Sequence, residues 1–220
     1  LLKLVVFDRM LPMTSNKKKV LLGMSGGVDS SVSAVLLLEQ GYEVVGAFMK
    51  NWSSCDWRAE RRDAMRVAAQ LGIPFHTLDF EAAYREKVVK NLFNEYAAGR
   101  TPNPDVLCNK YVKFDLFVKA ADKLGCEFVA TGHYAALTTP SPSLKRRGTR
   151  NSRSASPLLF KEGVRGWLAE EAVLQTPKDL NKDQTYFLWA MRREVLSRVI
   201  FPLADLTKPE VREIARAHSL

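Results

Sequence analysis

Apolar and polar positions alternate between two patterns of spacing along the chain after Lys19. Short apolar runs predict strands, and longer segments with apolar residues at helical spacing predict helices. The predicted strands cover residues 20–24, 42–49, 73–79 and 128–131. The predicted helices cover residues 30–40, 58–71, 81–98 and 114–124. This alternation indicates a doubly wound α/β fold with a mainly parallel sheet, and such sheets bind ligands beyond the carboxyl ends of their strands.

The stretch 138–170 interrupts the alternation. It is poor in apolar residues and dense in Ser, Arg and Pro, so we interpret it as a basic, low-complexity insertion that forms a mobile loop. Its seven basic and two acidic residues supply five of the nine net positive charges of the chain. The charge permits nucleic-acid binding but does not establish it, because the rest of the chain is only modestly basic.

The two ends of the chain fall outside the regular pattern. Residues 1–18 lack the features of a secretory signal, and we expect a disordered extension in which Met13 is a more natural start than Leu1. After the insertion, residues 179–192 and 208–218 predict helices, so 171–220 is interpreted as the start of a small, mostly helical domain. No terminating signal precedes the last residue, which favours a C-terminally truncated chain.

Composition narrows the class of protein. A hydrophobic content of 46% with 26% charged residues is typical of a globular protein with a core. Since no run of about 18 apolar residues exists, we expect no membrane span. Cys55, Cys108 and Cys126 are too few and too scattered for a disulfide framework or a zinc site, which favours a reducing cytoplasm.

The sharpest motif reads G-M-S-G-G-V-D-S-S at residues 23–31, between the first predicted strand and the first predicted helix. Its glycines allow a tight turn that presents backbone N–H groups to a phosphate, and the helix start adds its positive dipole end. Asp29 is a candidate ligand for Mg²⁺ or, alternatively, a cap of the helix. The Walker pattern and its lysine are absent.

Further strings extend this motif into a family resemblance. The S-G-G-x-D-S string resembles the pyrophosphate-loop ATPases, which cleave ATP between the α and β phosphates and adenylate a substrate oxygen. The chain also contains F-M-K-N-W at 48–52, N-P-D-V-L-C-N at 103–109, A-T-G-H-Y at 130–134 and K-D-Q-T-Y-F-L at 182–188. Together these strings resemble the bacterial tRNA-specific 2-thiouridylases, from Lys19 to the last residue apart from the insertion.

The resemblance implies an adenine nucleotide alpha hydrolase-like, Rossmann-like fold. Within it, 19–137 would be the pyrophosphate-loop ATP-binding domain, and 171–220 the truncated start of a central domain that contacts tRNA. The implied cofactors are ATP and Mg²⁺. The implied partners are tRNA and a persulfide sulfur donor or relay protein, and we expect a cytoplasmic monomer.

The same resemblance implies a role for each motif. Cys108 would be the first catalytic cysteine, and Asn103, Pro104 and Asp105 would meet the flipped target base. The residues implied to contact tRNA are Lys182, Asp183 and Gln184. The residues implied to bind the nucleotide are Gly23, Met24, Ser25, Gly26, Gly27, Val28, Asp29, Ser30, Met49 and Gly132.

The residue types suit this chemistry by themselves. The C2 oxygen of a uridine is a poor leaving group until adenylation, after which a thiolate or persulfide can attack C2. Asp105, three residues before Cys108, is a candidate acid or base. Cys108 stands among Asn, Pro and Asp in a predicted loop, which favours catalysis, whereas Cys55 and Cys126 are interpreted as structural or incidental. His133 is either a hydrogen-bonded histidine at a strand end or a site residue.

The chain departs from the family in two places. The family's second cysteine belongs to a K-D-S-T-G-I-C-like stretch that would begin beyond Leu220, and the family's C-terminal β-barrel is missing too, so sulfur transfer by this chain is in doubt. The insertion is interpreted as a translated repeat element rather than a basic arm that touches tRNA phosphates. Two alternatives stay open: another pyrophosphate-loop adenylating synthetase or amidotransferase, and an inactive truncated ATP-binding remnant.

Overall fold

The computed structural model describes residues 17–53, 56–138 and 172–220. The predictions for residues 1–16 of the N-terminal extension, for Cys55 and for the insertion beyond Thr138 therefore lie outside the described residues. Within the described residues, no helix is both long enough and apolar enough to cross a membrane.

Five parallel strands form one sheet in the order β3-β2-β1-β4-β7. The strands are β1 (Lys19–Gly23), β2 (Glu43–Lys50), β3 (Phe75–Asp79), β4 (Phe128–Thr131) and β7 (Val199–Ile200). A separate antiparallel pair joins β5 (Ala136–Leu137) to β6 (Leu174–Gln175). The strand order reverses between β1 and β4, so a ligand-binding crevice is expected where these two strands end.

The described residues contain eight α-helices: α1 (Val28–Glu39), α2 (Trp57–Gln70), α3 (Glu81–Tyr84), α4 (Lys90–Ala97), α5 (Pro104–Cys108), α6 (Phe117–Lys123), α7 (Arg193–Leu196) and α8 (Lys208–Ala217). A π-helical segment, Arg85–Val89, runs directly from α3 into α4. A second π-helical segment, Asn109–Leu116, runs directly from α5 into α6. The four predicted strands and the first helices are thus confirmed, with boundaries moved by a few residues.

The apolar residues of the central strand pack on both faces of the sheet. Val20 and Leu22 of β1 belong to a buried cluster that includes Leu37 of α1. Leu21, which alternates with them, belongs to the opposite cluster with Phe114 and Phe117. This two-sided burial explains why the predicted strands read as continuous apolar runs.

One prediction for the C-terminal part is wrong. Residues 179–192 form short 3₁₀ turns, Leu180–Lys182 and Thr185–Leu188, in place of one helix. The carboxylates of Asp179 and Asp183 accept backbone N–H groups two residues on, at 3.1 and 2.9 Å, and these local bonds compete with a regular helix.

Residues 171–220 were predicted to start a small, mostly helical domain, and that boundary stays a prediction. The strand β7 of this segment pairs with β4 and thereby extends the main sheet. Its helix α8 packs on α1 in a cluster that includes Val32 and Val211. The described part of this segment therefore completes the α/β fold, because its apolar residues are buried against that fold.

Candidate active site

The loop between β1 and α1 is held in shape by its own serines. The Ser25 backbone N–H donates to Ser30 Oγ at 3.2 Å, and Ser30 Oγ donates to the Gly27 carbonyl at 3.0 Å. Gly27 is the N-cap of α1 and supplies no side chain to the helix start. The first N–H groups of this twelve-residue helix are therefore available to an anion.

Two glycines let neighbouring backbone approach this loop. Gly26 has a φ of +82°, and a Cβ there would lie 2.6 Å from the Glu60 carbonyl of α2. A Cβ at Gly132, just after β4, would lie 2.9 Å from the Ser30 backbone nitrogen. The chain after β4 thus packs directly against the start of α1, as the reversed strand order requires.

A cleft of about 330 Å³ opens where β1 and β4 end. The predicted nucleotide-binding residues that line it are Gly23, Met24, Ser25, Asp29, Ser30, Met49 and Gly132. Gly26, Gly27 and Val28 complete the loop behind them. The side-chain oxygen of Asn51, another lining residue, is buried and has no hydrogen-bond partner in the described residues. The shape and the free donors and acceptors of this cleft suit a nucleotide.

Asp29 lies in the first turn of α1 and forms an ion pair. Its Oδ1 accepts from Lys208 Nζ at 2.6 Å and from the Tyr134 hydroxyl at 2.9 Å. Burial, together with the Asp29 carboxylate, raises the pKa of Tyr134 well above its ordinary value. The N-cap of α1 is Gly27, and Asp29 lies inside the first turn, where the bonds of its carboxylate within the described part of the chain go to Lys208 and Tyr134, so the capping alternative is wrong.

The described residues contain no cluster of three or more His, Cys, Asp or Glu side chains that could hold a metal by itself. A Mg²⁺ ion bound with a nucleotide needs only one or two carboxylates, since phosphates and water supply its other ligands. Asp29 fits that requirement by chemistry and by position in the cleft. It stays a proposed ligand.

His133 lines the cleft and is hydrogen-bonded. Its Nδ1 lies 2.8 Å from Thr131 Oγ1, and its ring packs between Phe114 and Phe201. Burial of the ring and the nearby charge of Lys113 lower its pKa to about 3. His133 is therefore neutral near pH 7 and contributes no positive charge to the cleft.

Cys108 lies at the end of a helix, so the prediction of a loop at 103–109 is wrong. Asn103 caps α5 by accepting the Asp105 backbone N–H at 3.0 Å, and Pro104 occupies the first turn. A capping Asn followed by Pro is a helix-start signal that the sequence interpretation did not use.

The Cys108 thiol is buried, with 8% of its surface exposed. It packs in a small cluster with Val88 and Val112. Burial raises its pKa, and so does Asp105, whereas Lys113 lowers it. The thiol is thus protonated and covered in this state, and the loop-based argument for its catalytic role no longer holds.

The predicted target-base residues and Cys108 do not line the nucleotide cleft among the described residues. They lie on α5, whose π-helical continuation carries Lys113 into the cleft. Asn109, next to Cys108, donates through Nδ2 to the Phe187 carbonyl at 3.0 Å. The structure therefore places the predicted nucleotide-binding residues and the predicted target-base residues with Cys108 on neighbouring elements. The two groups do not line one common pocket in the described residues.

The three predicted tRNA-contact residues divide into two kinds. Lys182 and Asp183 are exposed, whereas Gln184 fixes the chain after β4. Its Oε1 accepts the Tyr134 backbone N–H at 2.9 Å, and its own N–H donates to the Tyr134 carbonyl at 3.0 Å. All three line a second pocket of about 290 Å³ with Lys208, and Gln184 also lines the nucleotide cleft.

Sequence reasoning missed several lining residues. Tyr134 belongs to the A-T-G-H-Y string and Lys208 to the predicted helix 208–218, but neither had an assigned role, and Lys113 stood between a predicted loop and a predicted helix. Their positions depend on contacts across 105 and 179 residues, between Asp29 and Tyr134 and between Asp29 and Lys208. Only the prediction that strand ends converge gave any signal for them.

Two curated relatives from different bacteria carry the same description, tRNA-specific 2-thiouridylase. The curated tRNA-specific 2-thiouridylase MnmA of Christiangramia forsetii is 46% identical over 211 residues, which are 92% of this chain and 47% of that protein. The MnmA of Bacillus subtilis is 44% identical over 208 residues, 92% of this chain and 48% of that protein. The chain thus spans about half the length of the curated relatives it matches.

One solved structure from Methanocaldococcus jannaschii, titled a "predicted subunit of tRNA methyltransferase", has 17% identity and a TM-score of 0.48 over 91% of this chain and 76% of its own. The model of the family described as "tRNA methyl transferase HUP domain" matches residues 18–220. This match covers the sheet, its flanking helices and the whole cleft, so the chain belongs to the tRNA methyl transferase HUP domain family.

Proposed function

We propose that this chain is the nucleotide-binding and activating part of an enzyme that thiolates a tRNA uridine at C2. The observation that carries the proposal is the cleft at the ends of β1 and β4. In it, the loop before α1, held by the hydrogen bond between Ser25 and Ser30, and the uncapped start of α1 face Gly132. The HUP domain implies ATP binding. The curated relatives named above are tRNA-specific 2-thiouridylases, which supports this reaction over that of another adenylating synthetase or amidotransferase.

The proposed reaction has two stages. First, the uridine C2 oxygen attacks the α-phosphorus of ATP, so that pyrophosphate leaves and C2 carries an AMP ester. Then the terminal sulfur of a cysteine persulfide attacks C2 and AMP leaves, so that C2 is joined to that cysteine through an S–S bond. A second thiol, for which Cys108 is the candidate, attacks this S–S bond, which releases the thiolated uridine and leaves a disulfide between the two cysteines. No cysteine of this chain is assigned the persulfide, so the second stage is proposed for a protein with the full length of the curated relatives.

The chain's own residues have distinct tasks in this proposal. The N–H groups at the start of α1 and the hydroxyls of Ser25 and Ser30 bind the phosphates. Met49 and Gly132 contact the nucleotide, and Asp29 holds Mg²⁺. Because Asp29 is paired with Lys208, metal binding there requires that this ion pair rearranges.

The target base meets the start of α5. Asn103, Pro104 and Asp105 receive the flipped uridine, and the exposed Asp105 carboxylate acts as acid or base. Lys182 and Asp183, both exposed, contact tRNA beside the cleft, together with Gln184. Cys108 must become accessible before its thiol can take part, since it is now covered by Val88 and Val112.

The test is pyrophosphate release from labelled ATP with Mg²⁺ and unmodified tRNA. We expect tRNA-dependent release that falls strongly in Ser30→Ala and survives in Ser31→Ala. Ser31 is a matched control, because its hydroxyl also donates to the Gly27 carbonyl at 3.0 Å but does not line the cleft.

A thiol variant separates activation from sulfur transfer. Cys108→Ala, with Cys126→Ala as its control, should retain pyrophosphate release, because adenylation consumes no sulfur. ATP binding without tRNA-dependent release would leave an inactive nucleotide-binding remnant as the better description. Cytoplasmic location, the monomeric state and the sulfur donor stay predictions.

A further inference from the structure

The nucleotide cleft has little positive charge to offer a polyphosphate. Among its described lining residues, Lys113 is the only lysine or arginine, while Asp29 and Glu60 are acidic. Lys208, in the adjoining pocket, is engaged with Asp29 at 2.6 Å. His133 is neutral near pH 7, because its pKa lies at about 3. A nucleotide bound in the cleft would therefore meet Lys113 as the one cationic side chain among the described lining residues.

Lys113 differs in this respect from other lysines around it. Lys119 and Lys87 both form ion pairs with Asp115, at 3.3 and 4.0 Å. No carboxylate in the described part of the chain forms an ion pair with Lys113, although its side chain is partly buried. Lysines that are withdrawn from water normally gain an anionic partner, so a ligand anion is the natural partner here.

The helix that carries Lys113 also carries Cys108. Five residues separate them, and the intervening Asn109–Leu116 segment is π-helical, closed by a bond from the Phe117 N–H to the Val112 carbonyl. Its i→i+5 hydrogen bonding brings residues five apart toward one face of the helix, and such segments are frequent at functional sites. The positive charge of Lys113 lowers the pKa of both Cys108 and His133, so both groups are within its electrostatic reach.

We propose that Lys113 binds a phosphate of the nucleotide in the cleft and, from the same continuous helix, stabilises the Cys108 thiolate. This assignment deepens the proposed function and rests on it for the identity of the nucleotide. A lysine ammonium suits both tasks, since it is a compact charge with three donors on a flexible stem. Lys113 lines the nucleotide cleft and lies on the helical segment that continues from Cys108, so it would link the nucleotide to the thiol.

The first test compares ATP with adenosine. Lys113→Met should weaken ATP binding by about tenfold or more, because it removes a charge-assisted hydrogen bond, while adenosine binding stays unchanged. Lys113→Arg should restore most of the ATP affinity. Lys123→Met is the control, since Lys123 is exposed on α6 and does not line the cleft. Titration calorimetry measures the binding of ATP and of adenosine to the purified wild-type chain and to each of the three variants.

The second test needs no nucleotide. Iodoacetamide alkylation of each cysteine, followed across pH by peptide mass spectrometry, reports thiolate formation. The charged groups that act on Cys108 are Lys113 and Asp105, so Lys113→Met should move its alkylation midpoint to higher pH. Cys126 is an internal control, because Lys19 and Glu43 act on it and Lys113 does not.

Two results would overturn the assignment. Equal losses of ATP and adenosine affinity in Lys113→Met would indicate a folding defect or a purely structural role. An unchanged Cys108 alkylation profile would refute the link to the thiol. Because neither readout uses tRNA or pyrophosphate release, a failed thiolation assay and a failed Lys113 assignment remain distinguishable.

Discussion

The width of the nucleotide cleft depends on one missing side chain, that of Gly132. Its backbone packs so closely on α1 that an added Cβ would meet the Ser30 nitrogen at 2.9 Å and the Asp29 carbonyl carbon at 3.0 Å. Those atoms belong to the helix start and cannot rotate away. Any side chain at this position must therefore push α1 and β4 apart.

We predict that Gly132→Ala lowers the free energy of unfolding by about 1–3 kcal/mol, the usual cost of overpacking a rigid contact. Gly27→Ala is the matched control in the same loop. Its φ is −83°, and its added Cβ would meet nothing closer than 3.5 Å. Urea unfolding followed by circular dichroism measures both. Equal effects at the two positions would contradict the steric argument.

Cys108 shows how burial changes the meaning of a candidate residue. The sequence placed it in a polar string, and the structure covers it with apolar neighbours that raise the pKa of its thiol. Asp105, three residues earlier, remains exposed at the start of α5. The two proposed catalytic groups thus sit in opposite environments on one short helix.

At the scale of elements, the stability of α5 depends on its N-cap residue, Asn103. Asn103→Ala should lower the free energy of unfolding by about 1 kcal/mol, whereas Asn103→Asp should stay within a few tenths, because Asp also accepts the Asp105 N–H. Urea unfolding distinguishes the two variants. If both lose the same stability, Asn103 contributes through contacts other than the cap.

Helix α8 begins with a capping box that is sensitive to acid. Glu210 accepts the Thr207 backbone N–H at 2.6 Å and pairs with Lys178 at 2.7 Å, and these contacts lower its pKa to about 2 from 4.5. A lowered folded-state pKa contributes stability that is complete above pH 4.5 and is lost as the pH falls toward 2.

The stability difference between the wild-type chain and Glu210→Gln should therefore be constant near neutral pH and smaller at pH 3. Denaturant titrations at pH 6 and pH 3 test this directly. Glu213→Gln serves as the control, since Glu213 is exposed on the same helix and outside the capping box. A difference that grows as the pH falls would have the wrong sign for this mechanism.

Most of the sheet was predictable from the sequence, because strands β1, β2 and β4 are mainly apolar runs bounded by glycine and polar residues. The phosphate loop was predictable for the same reason, since all its parts lie within nine consecutive residues. The turns at 180–188 were not, because helical periodicity in that stretch competes with aspartate side chains that bond the local backbone. Strand β7 has only two residues, too few to leave a periodic signal.

The candidate site was predictable only where its residues are local. Asp29 carried no sequence signal for its partners Lys208 and Tyr134, which reach it through tertiary packing. Lys113 enters the cleft because a π-helical segment turns its helix, and π geometry has no simple sequence pattern.

At the scale of the whole molecule, the described residues that flank the insertion on either side lie next to each other. Thr138 donates its backbone N–H to the Val173 carbonyl at 2.9 Å, beside the β5–β6 pair. The chain ends that flank residues 139–171 are thus already adjacent. Closing a loop between adjacent ends depends only weakly on its length.

We predict that replacing residues 139–171 by a short Asn-Gly turn leaves the fold intact and does not lower the free energy of unfolding. Thermal and urea unfolding test this. The same variant tests whether the insertion is a basic arm that touches tRNA phosphates. If it is, its removal should make tRNA binding weaker and less dependent on salt. Loss of the folded state would show that the insertion contributes to the core.

The pairing of β7 with β4 also sets an order of events during synthesis. Val129 and Val199 are neighbours in the sheet but are separated by 70 positions in the chain. At ribosomal rates of about 5–20 residues per second, roughly 4–14 s pass between the emergence of the two strands. In that interval one edge of β4 has no native neighbour and can capture a foreign strand. Nascent-chain aggregation should therefore peak after Thr131 has emerged and subside once Ile200 leaves the ribosome.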